Sequence, residues 1–348
     1  MKTLASLLSV LQAQGTISPE EVALVASRLH VAPAPPSPPL LVSGLMGCGA
    51  WVSALFFVAF LAMIHLVGEG GTSNIAVGGV LIGCAVAAYR SPGATLFLRQ
   101  LGLALSVAGH LILNAGACLL LDTHYAPALV MPLAAAALYP LVRDSLHRFL
   151  MVLAAVESVV VCLLWHGTSE SLHAITLIEV VGILAAFLPA RVSSAFRPAG
   201  YALACSLVIN VLLVGIPTML KIHAWPSTVI LTVALVVACR WAAAGAGPSV
   251  QQRVAVAVIA LGLLSTPGIL AALLLLVIGF GSGRRGLDAL AMAFLPVFLV
   301  LFYYNLEVDL AYKSWILMGS GVVLLAVRHM LGGLLGLAPP RAAEGGTP

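Results

Sequence analysis

Residues 149–191 read FLMVLAAVESVVVCLLWHGTSESLHAITLIEVVGILAAFLPAR. Two apolar runs, 149–165 and 172–189, are joined by a short polar turn, with Arg148 before the first and Arg191 after the second. Such runs approach the ~20 residues that a bilayer core requires. Backbone groups in hydrocarbon must be hydrogen-bonded within their own segment, so the runs are predicted to be antiparallel transmembrane helices. Each carries one carboxylate, Glu157 or Glu179. At ~1.5 Å rise per residue each lies about 12 Å from the outer end of its helix, near mid-bilayer. A carboxylate there is costly and must be protonated, paired or facing water. Two facing each other can share a proton. The functional reading is a proton or cation relay, or a polar contact to a substrate. The structural reading is a pair of neutral acids that hydrogen-bond helices together.

The same alternation extends over the chain. Of 348 residues, 61% are hydrophobic and only 8% charged, against about 25% charged in a soluble domain. Lipid is therefore the expected solvent. The apolar runs are 42–67, 75–89, 101–121, 126–141, 149–165, 172–189, 199–220, 228–242, 253–266, 268–282, 288–304 and 314–331, which predicts an all-α, polytopic bundle of about twelve helices over 41–331. The division between 253–266 and 268–282 rests on the turn signal Ser265-Thr266-Pro267-Gly268.

Charge placement tests this count. With the N-terminus in the cytoplasm, both termini and the even-numbered loops hold 14 of the 16 basic residues, and only Lys221 and Lys313 fall outside. Positive residues mark cytoplasmic loops, so both termini are expected there, including the tail 332–348. The opposite loops carry Glu69, Asp122, Glu170, Glu307 and Asp309, with His124, His166 and His223. A net charge of +4 reflects this loop placement and implies no nucleic-acid partner.

The first 40 residues differ. Leu4, Leu7, Leu8 and Leu11 recur at helical spacing, and Gly15 fits a helix stop. Ser18-Pro19-Glu20-Glu21 is a capping box opening a second amphipathic helix. A cytoplasmic helical hairpin is expected, followed by a stiff Pro-rich linker at 31–39. A signal peptide is the competing reading, since Lys2 precedes an apolar run, but no small-residue cleavage site follows.

Other polar residues lie within the runs. His110 and Asn114 share a face of the third, and Asn210 is central in the seventh. They either complete a polar cavity with the glutamates or make separate interhelical hydrogen bonds. Gly78, Gly79 and Gly83, and later Gly332 and Gly336, offer faces for close helix approach. Pro132, Pro217 and Pro296 lie in or near spans, where they predict kinks. The six cysteines are scattered singly through apolar runs, as packing residues. No spacing implies a metal or a cofactor: GxSxG, HExxH and a Rossmann fingerprint are absent, and Gly279-Phe-Gly-Ser-Gly283 before Arg284-Arg285 reads as a turn rather than a phosphate loop.

Near the C-terminus, residues 301–314 (LFYYNLEVDLAYKS) interrupt the apolar pattern. Tyr303 and Tyr304 suit an outer aromatic belt. Glu307 and Asp309 offer an ion pair to Lys313 in the first turn of the last helix, and Asp309 offers it a cap. An anchored outer-face hairpin and a contact for substrate or partner are both open. Phe302-Tyr303-Tyr304, Leu306, Leu310, Lys313-Ser314, Gly319, Gly321, Leu324, Leu325 and Arg328 resemble the closing hairpin of a bacterial membrane family known as domain of unknown function 4401. Gly279-Phe280, Arg285 and Leu287 are similar to that family's preceding loop, and the run from Trp51 to Leu61 to its first helix, while Asn305 and Val308 depart from its pattern. The resemblance implies a bacterial inner-membrane location and companionship with other small membrane proteins, including a type named after a GDYXXLXY motif. It implies no reaction.

These features lead to the expectation of a non-enzymatic membrane protein, either a subunit or scaffold of an envelope complex or a small-solute transporter. The alternative is a membrane-embedded enzyme acting on lipid-linked substrates. The second-to-third helix loop, Arg90 to Arg99, lacks the acidic-Gly-basic signature of major-facilitator transporters.

Overall fold

The computed structural model describes residues 4–15, 17–28, 40–91, 95–188, 194–215, 223–245 and 247–305, with Ala311, Ser314, Trp315 and Met318. The described residues form thirteen α-helices and no strand. Two short ones come first, α1 (Leu4–Ala13) and α2 (Pro19–Arg28). Gly15 takes φ +69° and ends α1. In the turn that follows, Ser18 N–H donates to Glu21 Oε2 at 2.8 Å and Glu21 N–H to Ser18 Oγ at 3.2 Å, the reciprocal capping box expected from the sequence.

Eleven apolar helices follow: α3 (Leu40–Met63), α4 (Gly71–Arg90), α5 (Leu96–Leu121), α6 (Ala126–Leu141), α7 (Ser145–Trp165), α8 (Leu172–Phe187), α9 (Arg197–Val214), α10 (Trp225–Ala242), α11 (Pro248–Leu264), α12 (Pro267–Ser282) and α13 (Arg285–Asn305). Each corresponds to one predicted run. The division at Ser265–Thr266 holds, with Pro267 opening α12. Among the described residues, seven helices are long and apolar enough to cross a membrane, while α6, α8, α11 and α12 are shorter. The protein is therefore an integral membrane protein of the helical class. The twelfth run, the Pro-rich linker, the C-terminal tail, and Glu307, Asp309, Lys313 and Pro217 lie wholly or largely outside the described residues.

The predicted runs were too short at several starts because helices begin on polar caps. Thr95 Oγ1 accepts from Leu98 N–H, and Asp144 Oδ1 accepts from His147 N–H, so α5 and α7 start several residues before their apolar runs. Between α12 and α13, Gly283 at φ +65° makes a left-handed cap and its N–H donates to Phe280 O. The turn expected over Gly279–Gly283 is thus confined to its end, since Gly279 to Ser282 continue α12 and only Gly283 leaves the helix.

Helix α12 is the centre of the larger core. Leu270, Leu274, Leu275 and Ile278 are fully buried among α8, α9, α10 and α13. Leu273, Leu276 and Val277 on its remaining face are partly buried and Phe280 is exposed, so protein covers most of this 16-residue helix, which relaxes its match to the lipid thickness. Helix α3, by contrast, exposes Leu45, Leu55 and Phe56 along its length, as a lipid-facing helix should. Pro132 and Pro296 are accommodated inside α6 and α13.

The closest helix pair is α4 with α5. Gly71, Gly78 and Ala85 on α4 face Gly116, Gly109 and Gly102 on α5, a seven-residue repeat running in opposite directions. A Cβ at Gly78 would lie 2.7 Å from Gly109 O, and one at Gly109 would lie 2.9 Å from Gly78 O. The backbones touch because no side chain intervenes. Gly78 was expected on such a face. Gly79 and Gly83, expected there too, have nothing within 4 Å, because consecutive helix residues point about 100° apart.

Gly109→Leu is therefore expected to separate α4 from α5, lowering stability by at least ~1–3 kcal/mol. Gly79→Leu is expected to be tolerated. Thermal unfolding of both variants in one detergent checks this; equal midpoints would contradict the seam.

Candidate functional site: a carboxyl pair bridged by Ser206 and Asn210

Glu157 on α7 and Glu179 on α8 are brought together by α9. Ser206 and Asn210 lie one turn apart on α9 and present their polar atoms to the same side. Ser206 Oγ donates to Glu157 Oε1 at 2.7 Å. Asn210 Nδ2 donates to Glu179 Oε1 at 2.6 Å and to Ser206 Oγ at 3.3 Å. Every donor thus points outward from the Asn210 amide, toward one carboxyl group or the other. Glu179, Ser206 and Asn210 have no exposure, and Glu157 is half-buried. Among the described residues no cation pairs with either glutamate, since the ion pairs found are both on Glu170. Glu179 Oε2 and Asn210 Oδ1 are left without a hydrogen-bond partner. The arrangement holds two acids at the ends of one polar chain, with acceptor capacity left over at its buried end.

Asn210 thus joins the glutamates. His110 and Asn114 do not, because α5 packs on α3, α4 and α6. They belong to a second polar group at the α5–α7 contact. Ser106 Oγ lies 2.9 Å from His147 Nε2, and the His110 Nδ1–H donates to Ser106 O at 2.6 Å. Because that acceptor is a carbonyl, His110 carries its neutral-form proton on Nδ1. Asn114 Nδ2 donates to His110 O at 2.7 Å. Sequence reasoning missed Ser206, Ser106 and His147. The first two stand four residues before a polar residue already singled out, and that spacing was the available signal. His147 lay just before its apolar run and carried no such signal.

The loops separate by charge. A cavity of about 560 Å³ places Arg90, Arg99 and Arg143 together with the single carboxylate Asp144, and a neighbouring one of about 830 Å³ adds Arg148 and Arg197. At the opposite end, Glu170 Oε2 lies 3.1 Å from His173 Nε2, and Glu170 Oε1 lies 3.2 Å from His223 Nδ1. His173 Nδ1 lies 2.7 Å from the buried Ser227 hydroxyl. Both imidazoles turn their nitrogens to one carboxylate, and among the described residues no His, Cys, Asp or Glu group has metal-binding geometry. Tyr125 stacks on His166 at 3.7 Å, and Trp165, Trp225 and Tyr304 are largely exposed at this end, as in an aromatic belt. Tyr303 meets the Tyr304 ring edge to face at 5.8 Å.

The hydrogen bond with His223 is the main reason the Glu170 carboxyl sits below its ordinary range, with a smaller contribution from His173. A group whose folded pKa is depressed stabilises the fold above its unfolded pKa, about 4.3 for Glu, and that contribution is lost as pH falls through the folded value. Loosening of the turn at 169–171 against the start of α10 is therefore expected below about pH 4. Glu170→Gln should remove the acid dependence. Hydrogen exchange of this turn across the acid range measures it, and a wild-type profile matching the variant would contradict the assignment.

No curated protein and no solved structure matches the chain. The profile of the family described as Domain of unknown function (DUF4401) matches residues 39–332 of the 348. That match takes in all eleven described apolar helices and the Ser206–Asn210 chain, and the protein belongs to this family.

Proposed function

We propose that this protein is a non-enzymatic small-solute transporter, acting alone or as the transporting subunit of an envelope complex, and that Glu157 and Glu179 carry its coupling proton. The observation that supports this most is the donor chain from Asn210 to both carboxyl groups with no cation beside them. Two carboxylates at this depth cannot both stay ionised without a counter-charge. A shared proton satisfies them, and Ser206 and Asn210 supply a hydrogen-bonded route between the half-buried acid and the fully buried one. The unpartnered Glu179 Oε2 and Asn210 Oδ1 give the buried end a place to hold a proton or a small cation.

The membrane is the bacterial inner membrane, with both termini in the cytoplasm. Supporting this, the arginines gather at one end of the bundle, and the described turns at the other hold acids and histidines and no lysine or arginine. The expected companion is another small membrane protein.

Reconstitution into liposomes holding a pH-sensitive dye tests the reading. Glu157→Gln and Glu179→Gln are expected to cut proton entry driven by an imposed pH gradient and solute mixture by more than about tenfold, consistent with the loss of a general acid–base group. Both should keep the folded, monodisperse state. Unchanged flux with a lowered melting temperature would instead make the chain a packing element.

A further inference from the structure

We propose that the larger cavity at the arginine-rich end binds the phosphate headgroup of an anionic glycerophospholipid. The cavity, about 830 Å³, lies between the starts of α7, α9 and α13. Arg143, Arg148 and Arg197 line it, and no carboxylate does. Among the described residues none of the three forms an ion pair. Asp144 follows Arg143 but lines the neighbouring cavity and not this one, and three guanidinium groups around one opening without a carboxylate in its lining attract a phosphate, to which arginine offers paired donors.

Arg148 is held in place by its surroundings. Its Nε donates to Tyr139 O at 2.9 Å and to Val142 O at 2.8 Å, and its guanidinium lies 4.7 Å from the Tyr139 ring centre. The Tyr139 hydroxyl in turn donates to Ala195 O at 2.6 Å, tying the end of α6 to the segment that leads into α9. One arginine of the three is therefore preorganised, while Arg143 is exposed and Arg197 half-buried.

The depth of the cavity distinguishes a lipid from a soluble phosphate. Arg197, Tyr201 and Cys205 line it at four-residue intervals along α9, so the wall runs about 12 Å from the charged rim into the spanning helix. Phe149 and Leu290 continue that wall on α7 and α13. A charged mouth over an apolar slot matches a phosphodiester with the glycerol and upper acyl chain below it. A free phosphate would use only the rim. Basic pockets between membrane helices on the cytoplasmic side bind such headgroups. This site is separate from the glutamate chain and does not rest on its role.

The test uses delipidated full-length protein titrated with dioleoyl phosphatidylglycerol, dioleoyl phosphatidylcholine or glycerol 3-phosphate, read by native mass spectrometry and thermal shift. Phosphatidylglycerol is expected to bind about tenfold or more tighter than phosphatidylcholine. Arg143→Gln with Arg197→Gln should erase the preference, while the same pair changed to Lys keeps most of it and confirms that the site folds. Arg253→Gln, an exposed arginine on α11 outside the cavity, should change nothing. Equal binding of the two lipids by the wild type, or a preference surviving the double Gln change, would overturn the proposal. Displacement of phosphatidylglycerol by equimolar glycerol 3-phosphate would overturn it in favour of a soluble phosphate.

Discussion

Hydrocarbon offers no hydrogen bonds, and the structure follows from how each polar group copes with that. The backbone does so by being helical wherever it is apolar. Side chains do so locally: Thr228 and Thr232 return their hydroxyls to the preceding turn of their own helix. Glu157 and Glu179 have no such local escape, since a carboxyl group cannot be satisfied by the carbonyls of its own helix while ionised. They are met by α9, whose Ser206 and Asn210 supply the donors. Three helices are thereby joined at one point by polar atoms.

Around this point the packing is of two kinds. Between α4 and α5 glycine lets the backbones touch, so dispersion over a long seam replaces large side chains. Around α12 the opposite holds, and Leu and Ile fill the space between helices. The first group presents the lipid-facing α3. The second holds the largely buried α12 and the carboxyl chain beside it. The Ser106, His110 and His147 group lies on the contact between α5 and α7, so both polar clusters reach α7. A helix that carries polar contacts on two sides is constrained in rotation, because turning it would expose one set to hydrocarbon.

Eleven of the twelve expected apolar helices, all those within the described residues, and the two-ended charge pattern were legible in the sequence, because both follow from the solvent. A run is apolar or it is not, and arginine in a loop sits on one side. The capping box at Ser18 and the break before Pro267 were legible for local reasons. The carboxyl pair was half legible: depth along the helix placed Glu157 and Glu179 at one level, and Asn210 was suspected of joining them. What could not be read was rotation about each helix axis. That angle decides that Gly78 meets α5 while Gly79 does not, and that His110 turns toward His147 rather than the glutamates. It is set by packing between helices, neighbouring or distant in sequence, which periodicity does not encode when every face is apolar. The family adds no reaction to this picture, so the chemistry rests on the geometry at Asn210.

If Glu157 and Glu179 carry the coupling proton, they hold it at neutral pH within the chain that Ser206 and Asn210 form. Infrared difference spectroscopy of the protein in lipid reads this directly through the carbonyl stretch of a protonated carboxyl group. Such a band is expected at neutral pH, absent from the Glu157→Gln, Glu179→Gln double variant and moved to higher frequency in Asn210→Val, where a donor is lost. A spectrum with no protonated carboxyl band, or one unchanged in the double variant, would contradict it.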